Sequence, residues 1–240
     1  MAVRAGELTW EALPGLFPEL NEPGRWLPLL QRHAALVEAA AERVRVTAVG
    51  AADAVRRQYA ESLELLRIAE LAGRAERVAD VGSGGGFPGL VVAAVRPDAR
   101  VDLIEPLKKR AVLLGEMAEE LGLRNVAVHA ERAEDCGRGP LRDRAGLVTA
   151  RAVAELRELV EYTAPLAAPG GLVALPKGSS LPGELEATGR ALEELGCEVA
   201  AIHRMRAVIS EMLSVVLVRK VGSTPERFPR RAGVPGKRPL

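Results

Sequence analysis

Asp80-Val81-Gly82-Ser83-Gly84-Gly85-Gly86-Phe87-Pro88-Gly89 follows one apolar run, residues 77–81, and precedes another, residues 90–95. Five of its ten residues are glycine, which tolerates a tight turn and lets a ligand come close to the backbone because it has no Cβ. Pro88 suits a first helical turn, where its missing N–H costs nothing. A strand, a glycine turn and a helix in that order form the ligand crevice of an open α/β sheet.

Outward from this loop the chain alternates short apolar runs with amphipathic stretches. Strands are expected at residues 77–81, 100–104, 126–129, 146–149 and 171–175, with two more at 198–202 and 213–218. Helices are expected between them at 90–95, 107–121, 153–164 and 185–195. This order predicts βαβ units around a mostly parallel sheet. The last two strands are joined by a short connection, residues 203–212, and so pair as an antiparallel edge hairpin. Such an edge belongs to Rossmann-like methyltransferases rather than to nucleotide dehydrogenases. The expected fold is therefore α/β, a seven-stranded class I methyltransferase sheet. Before it, residues 1–74 read as a helical extension. Leu63, Leu66, Ile68 and Leu71 recur at helical spacing, Ala39-Ala40-Ala41 favours helix, and Asp53 is a candidate cap. The expected organisation is a helical region 1–74, a core 75–221 and a Pro-rich basic tail 222–240.

Two cofactor patterns compete at the loop. A dinucleotide site wants G-x-G-x-x-G. From Gly82 its third glycine falls on Phe87, whereas from Gly84 it closes on Gly89, so the motif alone leaves NAD open. Asp80, two residues before the first glycine, favours the D-x-G-x-G-x-G form, in which a carboxylate and backbone groups hold the amino-acid end of S-adenosylmethionine. No Gly-Lys-Ser/Thr follows, which excludes a P-loop. Glu105 stands 19 positions after Gly86, at the end of the second expected strand. A carboxylate there can accept from both hydroxyls of a ribose. Ala133 and Glu134 follow the third strand, where backbone or carboxylate groups can read an adenine edge.

Composition narrows the class. An apolar fraction of 48% and a charged fraction of 27% are those of an ordinary soluble protein. Cys136 and Cys197 lie too far apart in sequence for a ligand motif, so neither a disulfide nor a zinc site is expected. The first residues carry Glu7, Glu11, Glu19 and Glu22 without a long apolar run, so a secretory signal is not expected. No run approaches the ~18 apolar residues of a membrane span. A monomer acting in the cytoplasm is the expectation. The net charge is only +1, yet residues 219–240 carry seven basic side chains against Glu226, or +6, leaving −5 for the rest. Any polyanion must meet local clusters.

With these residues in view, the chain resembles the bacterial RsmG (GidB) family of 16S ribosomal RNA methyltransferases, which act on guanine N7. The resemblance runs through Val46-Thr47-Ala48, Glu61-Ser62-Leu63, the glycine loop with Leu90 and Glu105-Pro106-Leu107-Lys108-Lys109-Arg110. It continues through Arg132-Ala133-Glu134, Arg151-Ala152 and Lys177-Gly178, and through the tail from Phe228-Pro229-Arg230-Arg231 to Gly236-Lys237-Arg238-Pro239-Leu240. It implies cofactor contacts at Gly82, Phe87, Glu105, Ala133, Glu134 and Arg151. Asp80, Gly84, Pro106 and Leu107 complete the candidate set for S-adenosylmethionine. Two departures stand out. Arg45-Val46-Thr47 replaces the usual Asn-Leu-Thr, and Gln58 with Glu61-Ser62-Leu63 replaces the usual His with Asp-Ser-Leu.

Guanine N7 carries a lone pair and no proton, so methyl transfer to it needs no general base; proximity and orientation suffice. The fourth strand runs into Val148-Thr149-Ala150-Arg151, without the Asn/Asp-Pro-Pro-aromatic motif used for exocyclic amines, and neither cysteine follows a proline. The expected partner is 16S rRNA or the small ribosomal subunit. Lys108, Lys109 and Arg110 lie in a first helical turn, where the macrodipole disfavours cations; they read either as an RNA contact or as a solvated basic face. Arg151 can stack on a base or pair with a carboxylate. Lys177, Phe228, Arg230, Arg231, Lys237 and Arg238 complete the RNA candidates, Phe228 by stacking and the tail cations by meeting phosphates. His33, His129 and His203 read as surface or packing residues. Trp10, Trp26, Tyr59 and Tyr162 read as filling the helical interface. The competing readings are a methyltransferase for protein or a small molecule, a non-catalytic ribosome-binding factor, and an NAD-dependent reductase.

Overall fold

The structure, a computed structural model, describes residues 8–41, 43–44, 47–71, 75–151 and 154–240. Arg45, Val46, Arg74, Ala152 and Val153, which carried parts of the reading above, lie outside the described residues, as does the segment 1–7 with Glu7. A 3₁₀ turn, Trp10–Ala12, opens the described chain. Helices α1 (Leu13–Leu16), α2 (Pro23–Ala41), α3 (Ala51–Ala54) and α4 (Glu61–Leu71) follow, with a π-helical stretch at Val55–Ala60 joining α3 to α4. Then come β1 (Arg77–Val81), α5 (Gly89–Val95), β2 (Arg100–Ile104), α6 (Lys108–Glu120), β3 (Val126–His129) and α7 (Ala133–Cys136). The chain continues through β4 (Ala145–Ala150), α8 (Leu156–Thr163), β5 (Ala167–Lys177), α9 (Leu181–Leu195), β6 (Cys197–Arg204), β7 (Ser214–Lys220) and α10 (Val234–Lys237).

The strands form one seven-stranded sheet in the order β3-β2-β1-β4-β5-β7-β6. β1 to β5 are parallel, while β7 runs antiparallel to both β5 and β6. Parallel strands are covered on both faces and so read as near-continuous apolar runs; β1 and β2 each bury four of their five residues. Because β1 pairs with β2 on one side and β4 on the other, the strand order reverses there, and the crevice of such a sheet opens at that point. The register aligns Val81 with Ile104 and with Ala150. Gly82, Glu105 and Arg151, each the next residue, therefore emerge side by side at the carboxyl edge.

The N-terminal helices are not an appendage. Leu13, Phe17, Trp26, Leu30, Tyr59, Leu63 and Leu66 share one buried cluster with Leu90 and Val92 of α5 and Val101 and Leu103 of β2. Three details differ from expectation. Gly50 occupies the N-cap of α3, and Asp53 sits inside the first turn, paired with Arg56 at 3.4 Å. Pro88 stands at the N-cap of α5 rather than within its first turn. Strand β5 reaches 11 residues because its entry, Ala167, also pairs with Ala145 across an irregularity in register.

Residues 222–240 are tied down. Arg142 donates to the carbonyls of Thr224 (2.6 Å) and Phe228 (2.8 Å), and Arg138 to that of Pro229 (2.8 Å). Phe228 is 2% exposed and belongs to the cluster beneath α8. Arg230 grips the buried Glu161 through its backbone N–H and its guanidinium. Lys220, counted above in the charge of the basic end, is fully buried. It donates to Asp143 and to the carbonyls of Ala164 and Ala167.

Gly89 is the tightest point of the layer. A Cβ there would lie 2.2 Å from Leu103 Cδ2 and 2.8 Å from Asp80 Oδ2. Gly89→Ala is expected to cost about 1–3 kcal/mol, the usual range for overpacking. Thermal unfolding checks this: each kcal/mol lowers Tm by roughly 2–4 °C in a chain of this size.

Candidate active site at the carboxyl edge

Asp80 lies at the root of the glycine loop with no exposure. Thr149 Oγ1 donates to its Oδ1 at 2.8 Å and Gly89 N–H to its Oδ2 at 3.1 Å; Ser83 Oγ donates to its carbonyl. Burial raises its pKa, while Thr149, Ser83, the Gly89 N–H and Arg151 oppose the rise. This corrects the expectation of a direct ligand contact. Asp80 works from behind the loop, clamping strand β1 to the start of α5. The N–H groups of Gly82 and Ser83 point at the Ile104 carbonyl (2.8 and 3.3 Å), fixing the loop to β2. Gly82, Gly84 and Gly86 adopt φ of +73°, +54° and +92°. That left-handed region is the one in which glycine escapes the Cβ penalty.

A second support comes from the N-terminal helices. His33 Nε2 lies 2.9 Å from the Gly85 carbonyl, and its Nδ1 lies 3.1 Å from Tyr59 Oη. A carbonyl only accepts, so Nε2 carries the proton and the Tyr59 hydroxyl donates to Nδ1. Burial depresses His33 to about 4, which keeps the ring neutral. Phe87 packs against both rings, with centroids 5.0 Å from His33 and 5.2 Å from Tyr59. Arg151 lies over the same phenyl at 5.4 Å.

Two cavities meet at Gly82 and Ala154. The smaller, about 170 Å³, is walled by Val81, Ile104, Pro106, Ala133, Glu134 and Tyr162. Tyr162 is thus a cavity wall and not part of the N-terminal helical interface, where Trp10, Trp26 and Tyr59 do pack. Glu105, the residue after β2 and 3% exposed, lines neither cavity and accepts from Gly84 N–H (3.0 Å) and Leu107 N–H (2.9 Å). Leu107 lines neither cavity; it caps α6 and is 54% exposed. Glu134 accepts from Gly233 N–H at 2.8 Å, so the C-terminal segment braces the slot. Gly236 adds to this, since a Cβ there would meet Glu158 and Tyr162, both slot residues, at 3.3 Å.

The larger cavity, about 780 Å³, is bounded by Gly82 to Gly85 and Phe87 on one side. Arg57, Arg110, Arg151 and Lys177 supply cations, and Glu61 and Glu184 supply carboxylates. Lys177 is held by Glu184 at 2.5 Å and by the Ala154 carbonyl. Glu184 also accepts from Ser180 and from Leu156 N–H. Arg151 donates to the Arg57 carbonyl at 2.7 Å and meets Glu61 at 3.5 Å, the carboxylate pairing that was one of its two expected roles. Desolvation pushes the Glu61 carboxyl up to about 7 against the pull of Arg151, Arg57 and Arg56. Gln58 donates to Thr47 at the rim (2.6 Å), giving two residues of the departed motifs a structural contact.

The RNA candidates divide. Arg110, Arg151 and Lys177 line the cavity. Lys108 and Lys109 stand exposed in the first turn of α6, as do Arg231, Lys237 and Arg238 on the C-terminal segment. Phe228 and Arg230 are corrected: a buried ring cannot stack on a base, and a guanidinium committed to Glu161 has little left for a phosphate. The reading of sequence missed Arg57, Glu158 and Glu184 entirely. Only long-range folding brings them to the edge, and no local pattern marks them. His129 pairs with Asp102 at 2.9 Å, His33 buttresses the loop, and no group of three metal-ligating side chains occurs among the described residues.

Comparison with known proteins agrees with this arrangement. Residues 27–213 match the GidB family, described as rRNA small subunit methyltransferase G. A "Ribosomal RNA small subunit methyltransferase G" of Chloroflexus aggregans is 41% identical over 201 residues, covering 83% of this chain and 84% of that protein. One from a Roseiflexus species is 38% identical over 218 residues, covering 90% and 92%. Among solved structures, the O-methyltransferase TomG from Streptomyces achromogenes in complex with SAM superposes with a TM-score of 0.54 at 20% identity, covering 79% of this chain and 89% of that one. A SAM-dependent O-methyltransferase from Thermotoga maritima gives 0.53 at 17%, covering 79% and 72%. These two likenesses establish the fold. Family model and close relatives together span the loop, the cation-lined cavity and the sheet edge, and the chain belongs to the GidB family of ribosomal RNA small subunit methyltransferases G.

Proposed function

We propose that the chain methylates N7 of one guanine in 16S ribosomal RNA, drawing the methyl group from S-adenosylmethionine, and works as a single chain in the cytoplasm on the small ribosomal subunit or its RNA. The observation that carries this reading is the row of Gly82, Glu105 and Arg151 at the carboxyl edge, where a small slot and a larger, cation-lined cavity share Gly82 and Ala154.

The residues fit the cofactor. Pro106, Ala133 and Tyr162 offer apolar walls for a purine, with Glu134 beside them. Both Glu105 oxygens already accept a backbone N–H, but an ionised carboxylate has about four acceptor sites, leaving room for two ribose hydroxyls. The left-handed glycines bring bare backbone to the amino-acid end. When bound, S-adenosylmethionine supplies an electrophilic methyl on a sulfonium. This chain's part is to place the base in line with it and to exclude water. The cavity's described lining contains no histidine or cysteine, and guanine N7 needs no proton removed. Phosphates are met by Lys108, Lys109, Arg231, Lys237 and Arg238, which are exposed and form no ion pair among the described residues. No helix among the described residues is long and apolar enough to cross a membrane.

Labelled methyl groups should appear in small-subunit RNA at one guanine that is cut by N7-selective cleavage chemistry; label elsewhere, or none, overturns the assignment. Gly84→Asp sets a second carboxylate against Glu105, whose oxygen lies 3.0 Å from the Gly84 nitrogen. Like charges in one site repel, and calorimetry should show at least about tenfold weaker cofactor binding, equivalent to ~1.4 kcal/mol. Replacing Lys108 and Lys109 together by Ala should weaken RNA binding and flatten its dependence on log salt by about 1.5, the loss of roughly two phosphate contacts. Cofactor affinity should stay unchanged in that variant.

A further inference from the structure

The larger cavity must distinguish guanine from other bases, and among its described lining residues only two carboxylates, Glu61 and Glu184, offer the strongest kind of hydrogen-bond acceptor. Guanine presents a distinctive pair of donors, N1–H and the 2-amino group, on the edge opposite N7. A carboxylate has the shape and charge to accept both. Glu184 lacks room for both: its oxygens already take Lys177, Ser180 and Leu156 N–H, three of about four acceptor sites. Glu61 has that room. Its one described partner is Arg151, at Oε2 and a loose 3.5 Å, and its side chain is 12% exposed. No buried side-chain oxygen lacks a partner among the described residues, so Oε1 reaches solvent, and the solvent beside Glu61 is that of the cavity.

We propose that Glu61 is the specificity-determining residue for the target base, its carboxylate accepting from N1–H and the 2-amino group of guanine while Arg151 holds it from the other side. This rests on the reading that the substrate is guanine and deepens it. The placement also favours the reaction. As N7 gains a methyl group the base becomes cationic, and a fixed carboxylate attracts it more strongly than the neutral base. Glu61 is costly to keep charged: burial holds its carboxyl near 7 despite Arg151, Arg57 and Arg56 around it and Arg110 and Lys177 elsewhere in the same cavity. A group whose folded pKa is raised destabilises the fold as pH rises through it, a cost that functional carboxylates impose on their folds.

The test pairs enzyme variants with base analogues. Full-length wild type, E61Q and E61D are assayed on small-subunit RNA carrying guanine or inosine at the methylated position, inosine lacking only the 2-amino group. Wild type should lose about 10- to 100-fold in kcat/KM on inosine, the range for a bond to a charged acceptor. E61Q should fall by a similar factor on guanine and lose most of its preference between the two bases, while E61D keeps that preference. Wild-type kcat/KM should rise with pH through about 7 and that rise should vanish in E61Q, whose Tm at pH 8 should not drop and whose S-adenosylmethionine affinity by calorimetry should hold within about twofold. Full activity of E61Q, or an unchanged inosine penalty, overturns the role of Glu61 alone. If wild type leaves guanine N7 unlabelled while binding the cofactor, the guanine reading fails and this inference with it.

Discussion

One buried carboxylate holds the site's geometry together. Asp80 has no contact with solvent, and a charge or carboxyl in that position is tolerable because Thr149 and Gly89 satisfy it, while Ser83 bonds to the same residue's backbone carbonyl. Those three partners come from β4, the start of α5 and the loop itself. The bonds therefore do more than neutralise a desolvated group: they fix strand, turn and helix relative to each other. Glu105 performs the matching task on the other side, joining Gly84 to the start of α6. Between the two carboxylates the loop has almost no freedom, and a ligand meets backbone that is already in place.

The helices before the sheet complete the wall. His33 fixes the Gly85 carbonyl, Tyr59 fixes His33, and both rings support Phe87 beneath Arg151. Glu61, on α4, then reaches the same cavity and meets Arg151. A segment that reads as a packing extension thus furnishes the face opposite the glycine loop.

How much of this was legible follows the range of each interaction. β1 and β2 occupy the expected residues because strands buried on both faces are described by local composition, and the half-buried edge strand β3 also matches its expected bounds. The glycine loop and Glu105 were readable for a similar reason: motif and strand end coincide. Charges were not. Phe228 and Arg230 read as RNA contacts and Lys220 as part of a basic tail, yet their partners, the α8 cluster, Glu161 and Asp143, lie far off in sequence. Pairing at such distance leaves no trace in periodicity. Asp53 lost the cap to Gly50, which, unlike aspartate, has no side-chain acceptor to announce it. Arg57, Glu158 and Glu184 reached their cavities only through the assembled fold.

The π-helical stretch at Val55–Ala60 bears on how this protein tolerates change in length. There Glu61 N–H reaches back five residues to the Arg56 carbonyl, where an α-helix would reach back four. The wider turn sits immediately before Glu61, and Arg57 in that turn lends its carbonyl to Arg151. Losing a single residue from this stretch would restore ordinary winding and leave the flanking helices nearly aligned, because the wider turn already absorbs one extra residue, but it would displace Arg57 and the carbonyl it offers Arg151. A single deletion within the regular helix α2 has no such slack and would swing what lies ahead of it by roughly 100°.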